Sequence, residues 1–479
     1  MSLILNFPSS ILFSSFRPKM KLSKKPLICQ HYYKLEQTNT LLYTFISSIF
    51  TSQSIQLSQT RQFSTATTSD SSSITPINKN LLLFINHSPV KNAIWEARSS
   101  IFWRCSSISS SSIIPLTTQC DDHLITKPPS RSRTSVLYKL SSDYALQERY
   151  RNPMNEIRIE KLLEDLDALA GTISYKHCSS DDGKARSLTL VTASVDNIIL
   201  KKPVRIDTDL TIEGAVTWVG SSSLEIQLNV KQSTPESINS RESVSLTANF
   251  TFAARDSKTG KSAKINPILP ENINEKLLWQ EAEERNKMRK KKKEQKIDNL
   301  GEKENMLNEL LLANSDDNNN NNILIKDTCL QNSLVCQPEQ RNIHGQIFGG
   351  YLMRKAFELA YATAYSFVGS PPCFVEVDHV DFLKPVDVGD FLHLKSCVLY
   401  TQVENSSRPL INVEVIAHVT QPQNHSSEVS NNFYFTFTVP SDTQRNGSKI
   451  RNVVPATEAE ALCVIECIDV VRNKRDNVG

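Results

Sequence analysis

From residue 131 onward the chain switches between two hydrophobic periods, and it does so twice. Between Ile159 and Ser174 the apolar residues fall at Leu162, Leu163, Leu166, Leu169, Ala170 and Ile173. That three-and-four spacing places them on one stripe of a helix. Three apolar segments follow, Leu210–Trp218, Leu224–Val230 and Val244–Ala254, with strict alternation at Leu224, Ile226, Leu228 and Val230, the period of a half-buried strand. A second helix carries Leu352, Ala356, Leu359, Ala360, Thr363 and Phe367 on one side, and Phe391–Gln402, Leu410–Val419 and Asn432–Val439 read as strands behind it. Val219-Gly220-Ser221 and Asn405-Ser406-Ser407 supply turn chemistry between strands. A helix first and a run of strands after it, in two copies, predicts an α+β chain whose helices lie on antiparallel sheet.

The two copies are also alike residue by residue. Residues 195–204 read VDNIILKKPV and residues 377–386 read VDHVDFLKPV; aligned without gaps, Val, Asp, Lys, Pro and Val coincide. Between the copies, Glu275–Leu311 is charged and helix-permissive, and Asp316–Asn322 is a polar run that cannot build a core. This stretch reads as a linker with a solvated helical section. After Val439 the tail shows little pattern beyond a short amphipathic stretch near Glu458–Val471.

Composition changes the picture mainly at the front of the chain. Residues 1–63 hold seven basic residues and one acid, Glu36, among many Ser and Thr, the make-up of an organelle transit peptide. Arg61-Gln62-Phe63-Ser64-Thr65 resembles a mitochondrial processing site, so a matrix destination is expected, with a plastid as the alternative. Residues 64–130 stay low in complexity, with Ser71–Ser73 and Ser109–Ser112, and read as linker. The net charge of +3 over 479 residues demands no nucleic-acid partner. Arg289-Lys290-Lys291-Lys292-Lys293 is diluted by Glu281, Glu283, Glu284 and Glu294. Ten cysteines without C-x-x-C pairs give neither a metal spacing nor a disulfide scaffold. No apolar run reaches the ~18 residues of a membrane helix.

Two places carry candidate chemistry. Asp167 lies on the apolar stripe of the first helix or at its margin, where a carboxylate is costly unless paired or used; Glu164 and Asp165 fall toward the other face and read as solvated. Gly349-Gly350 opens the second helix. Glycine there lets a ligand approach the backbone, and the unpaired N–H groups of the first turn, with the positive end of the helix dipole, suit a developing oxyanion.

Asn342–Gly350 (NIHGQIFGG), a helix, and then Val377–Asp390 (VDHVDFLKPVDVGD) resemble the hotdog acyl-coenzyme A thioesterases; Lys161–Ala170 (KLLEDLDALA) is similar to their N-terminal domain. The tandem arrangement, long linker and basic leader are nearest to the mitochondrial-type double-hotdog members, and the likeness spans roughly residues 131–440. It implies two hotdog domains, each a long helix wrapped by antiparallel sheet, packed as a pseudo-dimer behind a disordered leader. The expected bounds are 1–63 transit peptide, 64–130 linker, 131–257 first hotdog, 258–328 charged linker, 329–441 second hotdog and 442–479 tail.

The resemblance also implies hydrolysis of fatty acyl-CoA to free acid and coenzyme A. The family pattern of amide, glycine and acid maps onto Asn342 and Gly349 in the second copy, but the acid position there is Phe357. In the first copy the acid is Asp167, while Ile159-Glu160 stands where the glycines should be. One site, Asn342 and Gly349-Gly350 with Asp167, is therefore complete; its mate, Asn152 and Ile159-Glu160 with Phe357-Glu358, is not. Asp167 is expected to act as general base or nucleophile, Asn342 to orient water or carbonyl, and His344 is a rival base or a structural residue. Phe348 and Leu352 are expected to line the acyl path and Lys384 to contact a phosphate or to serve the fold, with coenzyme A lying across the domain interface. No cofactor and no metal are implied; homo-oligomers of the double-hotdog chain and no stable membrane insertion are. A hotdog 3-hydroxyacyl-thioester dehydratase or hydratase, and a non-catalytic acyl-CoA-binding module, are the competing readings.

Overall fold

The chain is described here by a computed structural model covering residues 88–90, 124–179, 188–232, 243–294, 306–311, 322–342, 344–402, 408–439 and 450–476. The expected transit peptide, the Asn405-Ser406-Ser407 turn and most of the Asn-rich run lie outside those residues. All described residues belong to the unit Ile85–Gly479.

The element order is β1 (Thr134–Tyr138), α1 (Tyr144–Tyr150), α2 (Ile159–Cys178), β2 (Leu188–Leu200), β3 (Leu210–Val219), β4 (Ser223–Gln232) and β5 (Ser243–Asp256) in the first lobe. The connecting helix α3 (Ile273–Glu294) and the short β6 (Asn322–Leu324) follow. The second lobe holds β7 (Leu330–Val335), α4 (Gly349–Val368), β8 (Cys373–Phe382), β9 (Phe391–Gln402), β10 (Leu410–Gln421) and β11 (Ser426–Thr438), with β12 (Asn452–Val454) and α5 (Glu458–Asp476) behind it. Ten strands form one antiparallel sheet in the order β1-β3-β4-β5-β2-β8-β11-β10-β9-β7. Each half repeats the other in reverse, and the halves join where β2 meets β8, with Val195 opposite Val380 and Ile198 opposite Val377. The helix–sheet pattern is that of two tandem hotdogs packed as a pseudo-dimer.

Alternation along the strands decides which side faces the helices. Ile226, Leu228 and Val230 on β4 and Phe433, Phe435 and Phe437 on β11 are fully buried and point to the side where α2 and α4 lie; the two helices also pack against each other. That second contact overturns part of the sequence reading. Glu164 and Asp165, expected on a solvated face, are 6% and 2% exposed. Glu164 meets Arg354 of α4 at 3.1 Å. Asp165 accepts from Tyr138 at 2.8 Å, from Ser88 at 2.6 Å and from Tyr150. A helix pressed between a sheet and a second helix has two buried faces, and a single apolar stripe understates it.

The linker departs from expectation as well. Helix α3 is docked on the outer face of the first lobe's sheet: Arg285 pairs with the fully buried Glu225 at 2.6 Å, and Trp218 donates to Glu283 at 2.5 Å. Arg289, the head of the basic run, donates to Asp196 and Thr251 at 2.5 Å each; the side chains of residues 291–293 lie outside the described set. On the second lobe α5 buries Ala461, Val464 and Ile465 and packs against β9. The tail also contributes β12, paired in parallel with β6. Within the stretch read as linker, Val90 is buried and Lys127 bonds Pro267 and Leu269.

Candidate active site

The loops that lead into α2 and α4 share one construction. In the second lobe Asn342 Oδ1 accepts from the backbone of His344 at 2.8 Å and of Gln346 at 3.2 Å. In the first lobe Asn152 Oδ1 accepts from Met154 at 3.0 Å and Glu156 at 2.8 Å. Both turns need a left-handed residue at the same place, met by Gly345 (φ +87) and by Asn155 (φ +63), whose short polar side chain tolerates that region. Each amide oxygen therefore works on its own loop.

The two loops deliver different residues to the helix starts. In the second lobe the chain arrives at Gly349-Gly350 with Phe348 beside it. A Cβ on Gly350 would stand 2.7 Å from the Phe348 ring, 2.9 Å from the Glu164 carbonyl and 3.0 Å from Asp167 Cβ. A Cβ on Gly349 would meet the Phe382 ring at 3.1 Å and Asp167 Oδ2 at 3.3 Å. The absence of side chains here is what lets α2 come within hydrogen-bond reach of the α4 backbone.

Asp167 fills that approach. Its Oδ2 accepts from Gly350 N–H at 2.6 Å and its Oδ1 from Thr192 of β2 at 3.0 Å. The residue is 1% exposed, and burial raises its pKa to about 6 against the opposing pull of Thr192 and Gly350, with Glu164 adding to the rise. A carboxylate on the positive end of a helix, kept from water yet ionised above pH 6, has the properties of a general base near neutrality. Gly350 N–H, one of the two donors expected to face the thioester, is thus engaged by Asp167 in the free protein. Gly349 N–H has no acceptor among the described residues.

The remaining expected residues sort as follows. His344 Nε2 hydrogen-bonds Tyr175 OH of α2, which also accepts from Leu190 N–H at 3.2 Å. Burial lowers the His344 pKa, so the ring is neutral and ties the Asn342 loop to the first lobe. Phe348 is half-buried and closes the diglycine from one side. Lys384 is exposed and pairs with Glu428. Thr192 and Tyr175 escaped the sequence reading. Thr192 stands three residues before the repeated VDNIILKKPV; the matching position before VDHVDFLKPV is Phe374, so a polar–aromatic mismatch between the copies was its signal.

At the other end of the seam the same positions carry different chemistry. Phe357 replaces the acid and packs edge-on against Phe374 at 5.4 Å and Phe435 at 5.5 Å between ring centroids. The carboxylate–hydroxyl pair Asp167–Thr192 has become an aromatic pair. Ile159-Glu160 opens α2, and Glu160 accepts from Arg158 at 2.5 Å. Among the described residues no group of three His, Cys, Asp or Glu is placed to hold a metal ion, and no helix is long and apolar enough to cross a membrane.

Residues 163–238 match the family model of the thioesterase superfamily. The chain is 60% identical over 391 residues to acyl-coenzyme A thioesterase 4, mitochondrial, of Humulus lupulus, covering 80% of this chain and 73% of that one. It is 57% identical over 394 residues to acyl-coenzyme A thioesterase 2, chloroplastic, of the same plant, covering 80% and 89%. Against acyl-coenzyme A thioesterase 9, mitochondrial, of Homo sapiens it is 34% identical over 356 residues, covering 71% and 77%.

Proposed function

Because this chain belongs to the acyl-coenzyme A thioesterases with two hotdog repeats, we propose that its chemistry runs at the α4 end of the seam, with Asp167 as general base and Gly349 N–H as the oxyanion donor. The enzyme hydrolyses fatty acyl-CoA to free fatty acid and coenzyme A, and it is a mitochondrial protein. The observation that carries the site assignment is the fully buried Asp167 carboxylate seated on Gly350 N–H at 2.6 Å.

Asp167 takes a proton from water as the water oxygen bonds to the thioester carbon. The carbonyl oxygen gathers negative charge against Gly349 N–H and the first turn of α4. Collapse of the tetrahedral species breaks the C–S bond, and the proton held by Asp167 passes to the departing thiolate. Both Asp167 oxygens already accept a hydrogen bond, which blunts a carboxylate as a nucleophile and leaves it a good base with a pKa of about 6. Asn342 Nδ2 orients the water or the thioester, and His344, held by Tyr175, fixes the loop that carries Asn342. The acyl group runs between α4 and the sheet past Phe348 and Leu352.

Single turnover in ¹⁸O-labelled water tests for the nucleophilic mode through label incorporated into Asp167. A base delivers the label to the fatty acid in the first turnover; label retained on Asp167 would identify an acyl-aspartyl anhydride instead. Homo-oligomerisation belongs to the same reading. It is supported by the exposed apolar Leu137 and Val335 on the two edge strands, with Phe391 opposite Val335. Mass measurement on the full chain in solution tests it.

A further inference from the structure

Asn431 is fully buried, and neither its Oδ1 nor its Nδ2 has a hydrogen-bond partner among the described residues. Leaving a primary amide dry and unpaired carries a desolvation penalty that a hydrogen-bonded one recovers, and such a group in a folded protein calls for a specific cause. Its position supplies one. On β11 Asn431 alternates in step with Phe433, Phe435 and Phe437, the row that faces α4. Its register partner on β8 is Phe382, the ring against which a Cβ on Gly349 would collide. Side chains directly opposite on antiparallel strands have Cβ atoms about 5 Å apart. The unpaired amide is thus one side chain removed from the diglycine, on the side of the sheet along which an acyl group leaves the thioester.

The other lobe shows what the fold uses where no ligand is handled. The cross-strand pair matching Phe382–Asn431 is Leu200–Leu246 on β2 and β5, and Leu246 is fully buried with nothing to satisfy. Leucine and asparagine are nearly isosteric, so packing alone is served by either. Only the lobe that contributes the diglycine has the amide.

We propose that Asn431 is a specificity-determining residue that contacts the acyl group and hydrogen-bonds an oxygen substituent, a hydroxyl or a keto group, within its first few carbons. This rests on the assignment of the α4 end as the reacting site. A plain alkyl chain laid over Asn431 leaves both polar atoms unpaired. A hydroxyl offers both a donor and an acceptor, and a keto oxygen an acceptor for Nδ2. A site built to pair a polar substrate group discriminates strongly against the analogue that lacks it, whereas an apolar path disfavours the hydroxyl.

The test uses the full chain and a thiol-release assay. The saturated acyl-CoA turned over fastest is compared with the same chain carrying one hydroxyl at successive positions from the second to the sixth carbon. The wild type is expected to hydrolyse at least one hydroxylated form with a kcat/KM no lower than that of the saturated parent. Asn431→Leu, copying the other lobe, is expected to lower the ratio of hydroxylated to saturated kcat/KM about tenfold or more. Because both substrates are read on one sample, a smaller folded fraction cancels. A wild type that disfavours every hydroxylated form by about tenfold overturns the proposal without any variant, as does a ratio that Asn431→Leu leaves unchanged, the result expected if a buried water satisfies the amide. Hydrolysis that survives in Asp167→Asn would instead sink the site assignment beneath it.

Discussion

The two ends of the central seam are made from one repeated plan, and four places set their chemistry furthest apart. At one end stand Gly349-Gly350, Asp167 and Thr192; at the other, Ile159-Glu160, Phe357 and Phe374. The first set brings a buried carboxylate onto bare backbone, an arrangement that costs stability. The second replaces carboxylate and hydroxyl with rings at 5.4 Å and meets the helix start with Glu160, itself paired to Arg158. A duplicated fold needs only one end to keep a strained polar constellation; the other is free to become core. The difference teaches where to look for the proposed chemistry: the costly features stand at one end alone, while the cheap parts of the plan, the Asn-headed loops and the left-handed Asn155 and Gly345, are kept at both.

The strongest way to break that contrast is Asp167→Asn. Thiol release is expected to fall by about 10³-fold or more, while the fold keeps its contacts, since the amide oxygen can take Gly350 N–H and the amide nitrogen can donate to Thr192. Stability moves the other way. Burial raises the Asp167 pKa to about 6, so the folded state favours the protonated acid. Its contribution to stability is present below the unfolded value near pH 4 and is lost as pH rises through about 6. At pH 8 the ionised group costs up to ~3 kcal/mol, so thermal melts should show Asp167→Asn raising Tm at pH 8 and leaving it near wild type at pH 4. A lower Tm at pH 8 would mean the carboxylate stabilises the seam.

Gly350→Ala imports at the working end the side-chain bulk found at the other. Its Cβ would lie 2.9 Å from the Glu164 carbonyl, backbone that can move only with α2. We expect a loss of roughly 10²-fold in kcat/KM from misplaced Asp167 and ~1–3 kcal/mol in denaturant unfolding; unchanged kinetics would show that the close approach is not needed. Thr192→Val is milder. Thr192 holds the Asp167 pKa down, so its loss should move the midpoint of the pH–rate profile upward. Activity at pH 7 then falls by about tenfold or less and recovers toward wild type at pH 9; a fixed midpoint would deny Thr192 this role. The smallest effect belongs to Asn152→Ala at the idle end, where thiol release should change less than about twofold and only the local caps, worth ~1 kcal/mol, are lost. A large drop in activity there would mean that both ends work.

Much of this was legible in the chain itself, because the information is periodic. The helix and strand rhythms of Leu162–Ile173 and Leu224–Val230, the repeated Val-Asp and Lys-Pro-Val, and the unequal glycines and acids gave the tandem plan and its asymmetry. What escaped depends on contacts between elements far apart in sequence. Thr192 left only its mismatch with Phe374 in the repeat, and its bond to Asp167 emerged when β2 was laid beside α2; the pairing of Glu164 emerged when α2 met α4. Asn431 sits in a strand whose alternation is correct; only its full burial without partners marks it. Helix α3 looked solvated because Arg285 and Arg289 are charged, yet their partners Glu225 and Asp196 wait on a sheet that precedes them in the chain.

The ion pair Glu164–Arg354 has a consequence for assembly. With the two Asn-headed loops superposed, these residues occupy the same position on α2 and α4, so they meet across the axis that relates the lobes. Two copies of the first lobe would bring glutamate against glutamate there, and two copies of the second arginine against arginine. Like charges facing each other at the axis disfavour both of those pairings relative to the pairing of unlike lobes within one chain.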